Sequence, residues 1–273
     1  MAVTARRLPA PAPLPGPLAT VWRARRLVER NILVYRHQWI IIVSGVFEPI
    51  FYLIGIGLGL GGIVETVPLA GREVSYAAYV APALLATAAM NGAVFETIFN
   101  VFFKLNFQRT YEGILATPMG IGEIAVGEVA WALMRASLYA VSMLLIMLAM
   151  GLLASPWAVL IFPTVLLISA AFSSAGLATT TFLRKIQDFD IPMGLIVMPM
   201  FLFSGTFFPT EIYPAPIQLF LQLTPLYHAI SLIRAFSLGV LDLAQLWDLV
   251  YLIGFLALAM FVATRRMGTR LIK

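Results

Sequence analysis

Six stretches of this chain are apolar almost without interruption, at 40–63, 77–103, 121–153, 157–183, 191–208 and 246–264. Each is long enough for the ~20-residue helix that crosses the hydrocarbon of a bilayer, and the third is longer and begins outside the lipid. Backbone N–H and C=O groups find no water there, so a lipid-exposed segment of this length must satisfy them internally, as a helix does. Composition agrees: 61% of residues are hydrophobic and 11% charged, where a soluble domain has about half and about a quarter. The expected fold class is all-α integral membrane. It comprises six transmembrane helices, an N-terminal interfacial helix, a short cytosolic helix after span two, and an outer re-entrant helical hairpin between spans five and six. The chain divides into a disordered tail at 1–17, an amphipathic surface helix at 18–38 and a transmembrane domain at 39–273.

Charge sets the direction of insertion. Cations gather before span one (Arg6, Arg7, Arg23, Arg25, Arg26, Arg30, Arg36), after span two (Lys104, Arg109), after span four (Arg184, Lys185) and after span six (Arg265, Arg266, Arg270, Lys273). All of these share one side if both termini do, and the other side holds only Arg72 and Arg234 against several acids. Lysine and arginine excess marks the cytoplasmic face, so both termini are expected in the cytoplasm. In 18–38, Leu18, Val21, Trp22, Val28, Ile32 and Tyr35 fall near one helical face, with Arg23, Arg26 and Arg30 away from it. That pattern suits a helix lying on an anionic membrane surface. The net charge of +5 is thereby assigned to membrane lipids, and no nucleic-acid partner is expected.

Several chemistries are excluded. The absence of cysteine removes disulfides, zinc–thiolate sites and thiol catalysis. His37 and His228 fall on opposite sides of the membrane, and no H-E-x-x-H run is present, which argues against a metal-dependent lipid enzyme. No G-x-x-x-x-G-K-[ST] phosphate loop occurs, so ATP is not bound here in the usual way. No catalytic, metal or cofactor residues are assigned.

The polar island QRTYEGILATPMG (108–120) stands between two spans. Thr110 can cap a short helix, Glu112 suits its first turn, and Pro118 stops it. Tyr111, Ile114 and Leu115 lie three and four apart and form an apolar patch flanked by Arg109 and Glu112. Farther along, 217–223 and 226–238 are too apolar for a free loop and too short to span, and read as the re-entrant hairpin. There His228 and Arg234 face phosphates or carboxylates, or Arg234 snorkels to the headgroups. Within the spans, Glu48, Asn91, Glu96, Glu128 and Arg135 are costly at membrane depth and must face protein or water. Glu128 and Arg135, seven apart, read as structural; Glu48 and Glu96 either line a path or pack between helices. Met193, Met198, Met200, Phe201, Phe203, Phe207 and Phe208 around span five either face lipid or form a soft apolar wall that suits an amphipathic substrate, with Met200 and Phe203 assigned to the path. Gly55 and Gly59, and the SSAG run at 173–176, allow close helix approach. On the residues alone, an ATP-driven permease and an ion-gradient-driven transporter or channel, with Glu48, Glu96 and Arg135 as a relay, both stay open. The absence of repeated halves with paired broken helices counts against the second.

Gln108-Arg109-Thr110-Tyr111-Glu112-Gly113-Ile114-Leu115-Ala116-Thr117-Pro118, followed by Gly127-Glu128, resembles the cytosolic signature of type-2 ABC export permeases, in particular their NodJ-like branch. Residues 199–236, Glu48-Pro49 and the Asn91-to-Glu96 region carry the same resemblance. It implies a non-enzymatic permease subunit in the bacterial cytoplasmic membrane, whose partner is a separate ABC ATPase that binds ATP and Mg. Arg109, Tyr111, Glu112, Ile114 and Leu115 are then the ATPase-docking residues, and Glu48, Asn91, Glu96, Met200 and Phe203 the candidate substrate path. It further implies pairing with a second permease, as homodimer or heterodimer. The implied cargo is bulky and amphipathic, lipid-linked, glycolipid or drug-like, and moves outward.

Overall fold

The computed structural model describes residues 17–36, 47, 50–69 and 71–271. The expected tail at 1–16, His37, Glu48 and Pro49 lie outside the described residues. The chain is an all-α membrane protein with one small β-hairpin. In chain order the elements are α1 (Pro17–Tyr35), α2 (Ile50–Gly62), β1 (Thr66–Leu69), β2 (Arg72–Ser75), α3 (Tyr76–Asn106), α4 (Thr110–Leu115) and α5 (Ile121–Ala149), then α6 (Pro156–Thr180), α7 (Ile186–Phe203), α8 (Ala215–Gln222), α9 (Pro225–Leu238) and α10 (Ala244–Leu271). Of these, α3, α5, α6, α7 and α10 are long and apolar enough to cross a membrane. The first expected span is described over its second half only, as α2.

α3 is apolar on every side and mostly buried, which is how a helix at the centre of a bundle reads. It packs against α5, α6 and α9, while α10 packs on α6 and α9. Small residues set the closest crossings. At Gly176 of α6 an added Cβ would collide with Thr97 Oγ1 and come 3.4 Å from the Val94 Cα. At Gly127 of α5 it would come 3.1 Å from the Ala24 carbonyl oxygen of α1. The SSAG run thus makes the close approach expected of it. Gly55 and Gly59 have open space around them, so among the described residues that G-x-x-x-G brings no helix close.

α1 lies across the α5 side of one end of the bundle. Its buried stripe is Ala24, Leu27 and Asn31, while Val21, Trp22 and Ile32 stay exposed. The expected apolar face is therefore kept for the surroundings, and a separate, smaller stripe grips the protein. The same end carries α4, the start of α7 and the end of α10, where Arg270 donates to the Thr181 and Leu183 carbonyls at 2.9 and 3.1 Å.

The opposite end holds the β-hairpin, which the sequence reading did not foresee. Val67 pairs with Val74, Gly71 takes φ +76 in the turn, and Ser75 Oγ accepts from Ala78 N to cap α3. The segment expected to form the re-entrant hairpin folds as two helices, α8 and α9, bent by 83° to one another. Pro225 opens α9, and Gly239 at φ +73 closes it in the left-handed conformation that favours glycine.

Candidate functional site

After α3 the chain reverses sharply through Arg109, which takes φ 49 and ψ 31. This is the left-handed region, unfavourable for a residue with a Cβ. Thr110 is the first helical residue rather than the cap, and its hydroxyl contacts Gln108 Oε1 at 3.3 Å. Six residues of helix cannot stand alone in water, so one face must be held by the rest of the protein. The apolar face is the one held. Tyr111 is wholly buried and donates its hydroxyl to Glu128 Oε1 at 2.9 Å. Burial, and then Glu128 beside it, hold the phenol well above its ordinary pKa, so it donates as a neutral hydroxyl. Ile114 and Leu115 pack partly buried against the cluster containing Ile124 and Met267.

The expected docking patch of Tyr111, Ile114 and Leu115 is therefore turned inward. Arg109, Glu112, Gly113 and Ala116 form the exposed side. Glu128 in turn accepts two bonds from Lys104 Nζ, at 2.8 and 2.9 Å, and Lys104 donates to Asn31 Oδ1 at 3.2 Å. Lys104 and Glu128 are 4% and 2% exposed, so this is a buried ion pair and not a loop charge. Arg23 adds an outer tie, to Glu123 and to the Pro118 carbonyl, each at 3.1 Å.

A second polar cluster lies two turns farther along α3. Glu96 accepts from Trp131 Nε1 at 2.6 Å and Asn100 Nδ2 at 2.7 Å, and pairs with Arg135. Arg135 also donates to Tyr139 Oη at 2.9 Å and lies 5.4 Å over the Tyr35 ring. Burial, then the nearby Glu96 carboxylate, push the Tyr35 phenol up to about 12. This cluster forms one wall of a cavity of about 1020 Å³, lined by α3 and α7 with contributions from α1, α2 and α5. The volume is at the upper end of small-molecule sites. Asn91 and Glu96 line it. On α7 the lining residues are Met193, Val197, Met198 and Phe201. Met200 instead packs against the core, and Phe203 meets Tyr213 edge-on, ring centroids 6.0 Å apart. Helical phase explains the exchange, since positions 194, 197, 198 and 201 share a face that 200 and 203 do not. Three π-helical turns border the cavity, at Leu53–Leu58, Glu96–Asn100 and Met193–Val197. Such turns are frequent at functional positions.

At the opposite end His228 and Arg234 face inward and tie elements together. His228 Nδ1 is 2.6 Å from Asp248 Oδ1 of α10, its Nε2 is 2.8 Å from the Gln222 carbonyl, and Tyr251 stacks on its ring at 3.9 Å. Arg234 lies 3.9 Å over the Tyr79 ring and donates to the Gly205 carbonyl at 2.8 Å and the Tyr79 carbonyl at 3.3 Å. Snorkelling of Arg234 to headgroups is thus replaced by a fork that joins the Gly205 carbonyl, just past α7, to the Tyr79 carbonyl of α3. Sequence reasoning missed Lys104, Asn31, Trp131 and Tyr139. A lysine inside VFFKLNF, with no polar residue beside it but Asn106, was the available signal.

Comparison with known proteins gives one consistent result. The family described as ABC-2 type transporter matches residues 24–237. Nodulation protein J of Rhizobium leguminosarum bv. trifolii is 33% identical over 258 residues, 93% of each chain. Nodulation protein J of Rhizobium meliloti (strain 1021) is 34% identical over 221 residues, 80% of each chain. The inner membrane transport permease YadH of Escherichia coli (strain K12) is 24% identical over 204 residues, covering 72% of this chain and 78% of its own. The family match spans the pinned helix α4, the cavity and the re-entrant hairpin alike, and the chain is a NodJ-like membrane permease of the ABC-2 type transporter family.

Proposed function

We propose that this permease is the membrane half of an ATP-driven exporter, and that α4 is the point at which a separate ABC ATPase pushes on it. The observation that carries this reading is the division of α4 into two faces. One is pinned by Tyr111 to the Glu128–Lys104 pair. The other presents Arg109, Glu112, Gly113 and Ala116 outward. A short helix fixed to α3 and α5 and open on its far side can receive a partner and pass displacement to two membrane helices at once. The cation distribution supports placing this end, with both termini, in the cytoplasm. ATP and Mg belong to the ATPase. The cavity between α3 and α7 is the cargo path, and its size and mixed lining suit a bulky amphipathic substrate moved outward. A second permease, identical or homologous, pairs with this one to complete the transport path. A proton or ion relay through Glu96 and Arg135 is the weaker reading, because Glu96 is already held by three donors.

The test is purification of the tagged permease from its native membrane, followed by ATP hydrolysis in the eluate. Glu112→Arg and Gly113→Trp should lose co-purifying ATPase while membrane insertion and yield are unchanged. Full hydrolysis with both variants would refute docking on this face.

A further inference from the structure

At the end of the bundle away from α4, a second and smaller cavity of about 180 Å³ lies between β1, α3, α9 and the segment that follows α7. Its two charged lining residues are Arg234 and Glu211. They share the cavity without forming an ion pair, and among the described residues Arg234 pairs with no carboxylate. A guanidinium partly removed from water without a counter-charge is costly. Carbonyls offset part of that cost, with Nε engaged by Tyr79 and Nη2 by Tyr79 and Gly205. The third nitrogen, Nη1, makes no hydrogen bond among the described residues and stays accessible. Ser231 stands one turn before Arg234 on the same face of α9 and also lines the cavity. Its hydroxyl is accessible and unpartnered among the described residues. Gln245 accepts from the Asp242 N–H through its amide oxygen, which leaves its Nε2 donor accessible on the cavity lining. Three donors thus border one cavity. Glu211 is exposed at its rim. Among the described residues only its backbone carbonyl is engaged, by Gln218 Nε2 at 3.3 Å, and its carboxylate is free.

Donors inside and a carboxylate at the rim call for a ligand with an acceptor-rich anion and, a short link away, a cation. A phosphate matches guanidinium, amide and hydroxyl donors. An anion alone would meet Glu211 as like charge, and a cation alone would meet Arg234 in the same way. A primary ammonium donates hydrogen bonds to a carboxylate, which a quaternary one cannot do. Beside the lining residues in sequence, Ile212, Leu241 and Leu243 are 63%, 43% and 79% exposed, and at the end of a membrane bundle such side chains suit acyl chains. We propose that this cavity holds the head of a phosphoethanolamine lipid, with the phosphate on Arg234, Gln245 and Ser231 and the ammonium on Glu211. Free phosphoethanolamine shares the head chemistry, but the exposed apolar side chains favour the lipid. A head bound there ties the segment after α7 to α9 and to the start of α10 at one point. The site lies apart from the cavity between α3 and α7 and needs neither ATPase nor cargo, so its failure is separate from failure of docking on α4.

The experiment uses the full-length permease in detergent micelles doped with equal amounts of dimyristoyl phosphatidylethanolamine, phosphatidylcholine and phosphatidylglycerol. Bound lipid is read by native mass spectrometry. The phosphatidylethanolamine adduct should exceed each of the others at least about fivefold. Glu211→Gln alters an exposed side chain, should leave yield and melting midpoint unchanged, and should erase the preference over phosphatidylglycerol. Glu211→Lys should reverse it. Arg234 also holds the Tyr79 and Gly205 carbonyls, so the phosphate side is tested by Gln245→Leu, which keeps that fork and should lower the phosphatidylethanolamine adduct about threefold. O-phosphoethanolamine, the head without chains, should displace the lipid only in at least about tenfold excess. Displacement at equal concentration would assign the site to a soluble zwitterion and overturn the lipid. Equal adducts of the three lipids overturn the proposal, as does a preference unmoved by Glu211→Gln and Gln245→Leu.

Discussion

The buried pair of Lys104 and Glu128 gives the sharpest test of how α4 is held. The two groups are 4% and 2% exposed and 2.8 Å apart, and Glu128 also receives the Tyr111 hydroxyl at 2.9 Å. Lys104→Met removes the only cation bonded to Glu128 among the described residues and leaves a buried carboxylate with one neutral donor. Breaking a buried pair from one side costs about 3–5 kcal/mol. Glu128→Gln is milder, because Lys104 keeps Asn31 Oδ1 at 3.2 Å and the new amide oxygen still accepts. Its cost is about 1.5–3 kcal/mol, the range for a hydrogen bond to a charged group. In the double variant no charge is left uncompensated, and the amide introduced by Glu128→Gln still accepts from Tyr111. It should therefore be less destabilised than Lys104→Met alone, with a coupling energy that exceeds the Glu128→Gln loss, about 2–3 kcal/mol. For a chain of this size each kcal/mol moves a melting midpoint by about 2–4 °C, so Lys104→Met should fall on the order of 10 °C and the double variant should recover part of that. Thermal unfolding in detergent, followed by intrinsic fluorescence, measures all four proteins. A double variant that loses the sum of the two single losses would show that the groups do not interact, and the anchoring of α4 would need another cause.

Gly176→Ala places a methyl against Thr97 Oγ1 and should cost about 1–3 kcal/mol as an overpacked contact. Adding Thr97→Ala should restore much of the loss, and a double variant no better than the single would place the strain elsewhere. The chain has no cysteine, so thiols can be introduced on a clean background. The Phe99 and Phe189 rings, centroids 4.6 Å apart, join α3 to α7. Cross-linking Phe99→Cys to Phe189→Cys with a short bis-maleimide should arrest transport by the complex with its ATPase, and undiminished transport after complete cross-linking would refute a moving α7.

The spans were legible because hydrophobic runs of bilayer length have one structural solution. The charge count grouped most cations on one side of the spans, and most described cations stand at the end that carries α1 and α4. The phase of side chains was harder to read. In α4 the apolar residues at 111, 114 and 115 marked one face correctly, but an apolar face is equally suited to a partner and to the protein's own core. A six-residue helix needs the core first. On α7, Met and Phe are dense at 193–208, and composition cannot tell Met198 and Phe201, which line the cavity, from Met200 and Phe203, which do not. Glu96 and Arg135 were noticed singly, because a cross-helix pair 39 positions apart leaves no local trace. The β-hairpin was missed because its turn is a lone Gly71 within a connection too short to show alternation over several residues.

The two polar clusters join the same three helices at two levels. Asn31 and Tyr35 supply α1, Glu96 and Lys104 supply α3, and Glu128 and Arg135 supply α5. The charges are exchanged between levels. α3 carries the acid at the cavity and the base near α4, while α5 carries the reverse. Any slip of α3 along α5 breaks both pairs together, and a slip long enough to bring one pair's level to the other sets like charge against like. Register is therefore fixed at two points, and α1, α3, α4 and α5 behave as one block. Among the described residues no ion pair ties α7 to that block. Its aromatic contacts with the block run through Phe99 and Phe102 to Phe189, at 4.6 and 4.7 Å, and a polar tie, Tyr79 Oη to the Gly205 carbonyl at 3.3 Å, lies just past its end. Apolar contacts are non-directional and can be exchanged for one another at small cost, whereas a buried ion pair cannot be stretched without exposing charge to a poor solvent. On the proposed reading, in which α4 receives the ATPase, a force on α4 moves this block relative to α7, and the cavity then changes at the α7 wall rather than at the Glu96–Arg135 pair.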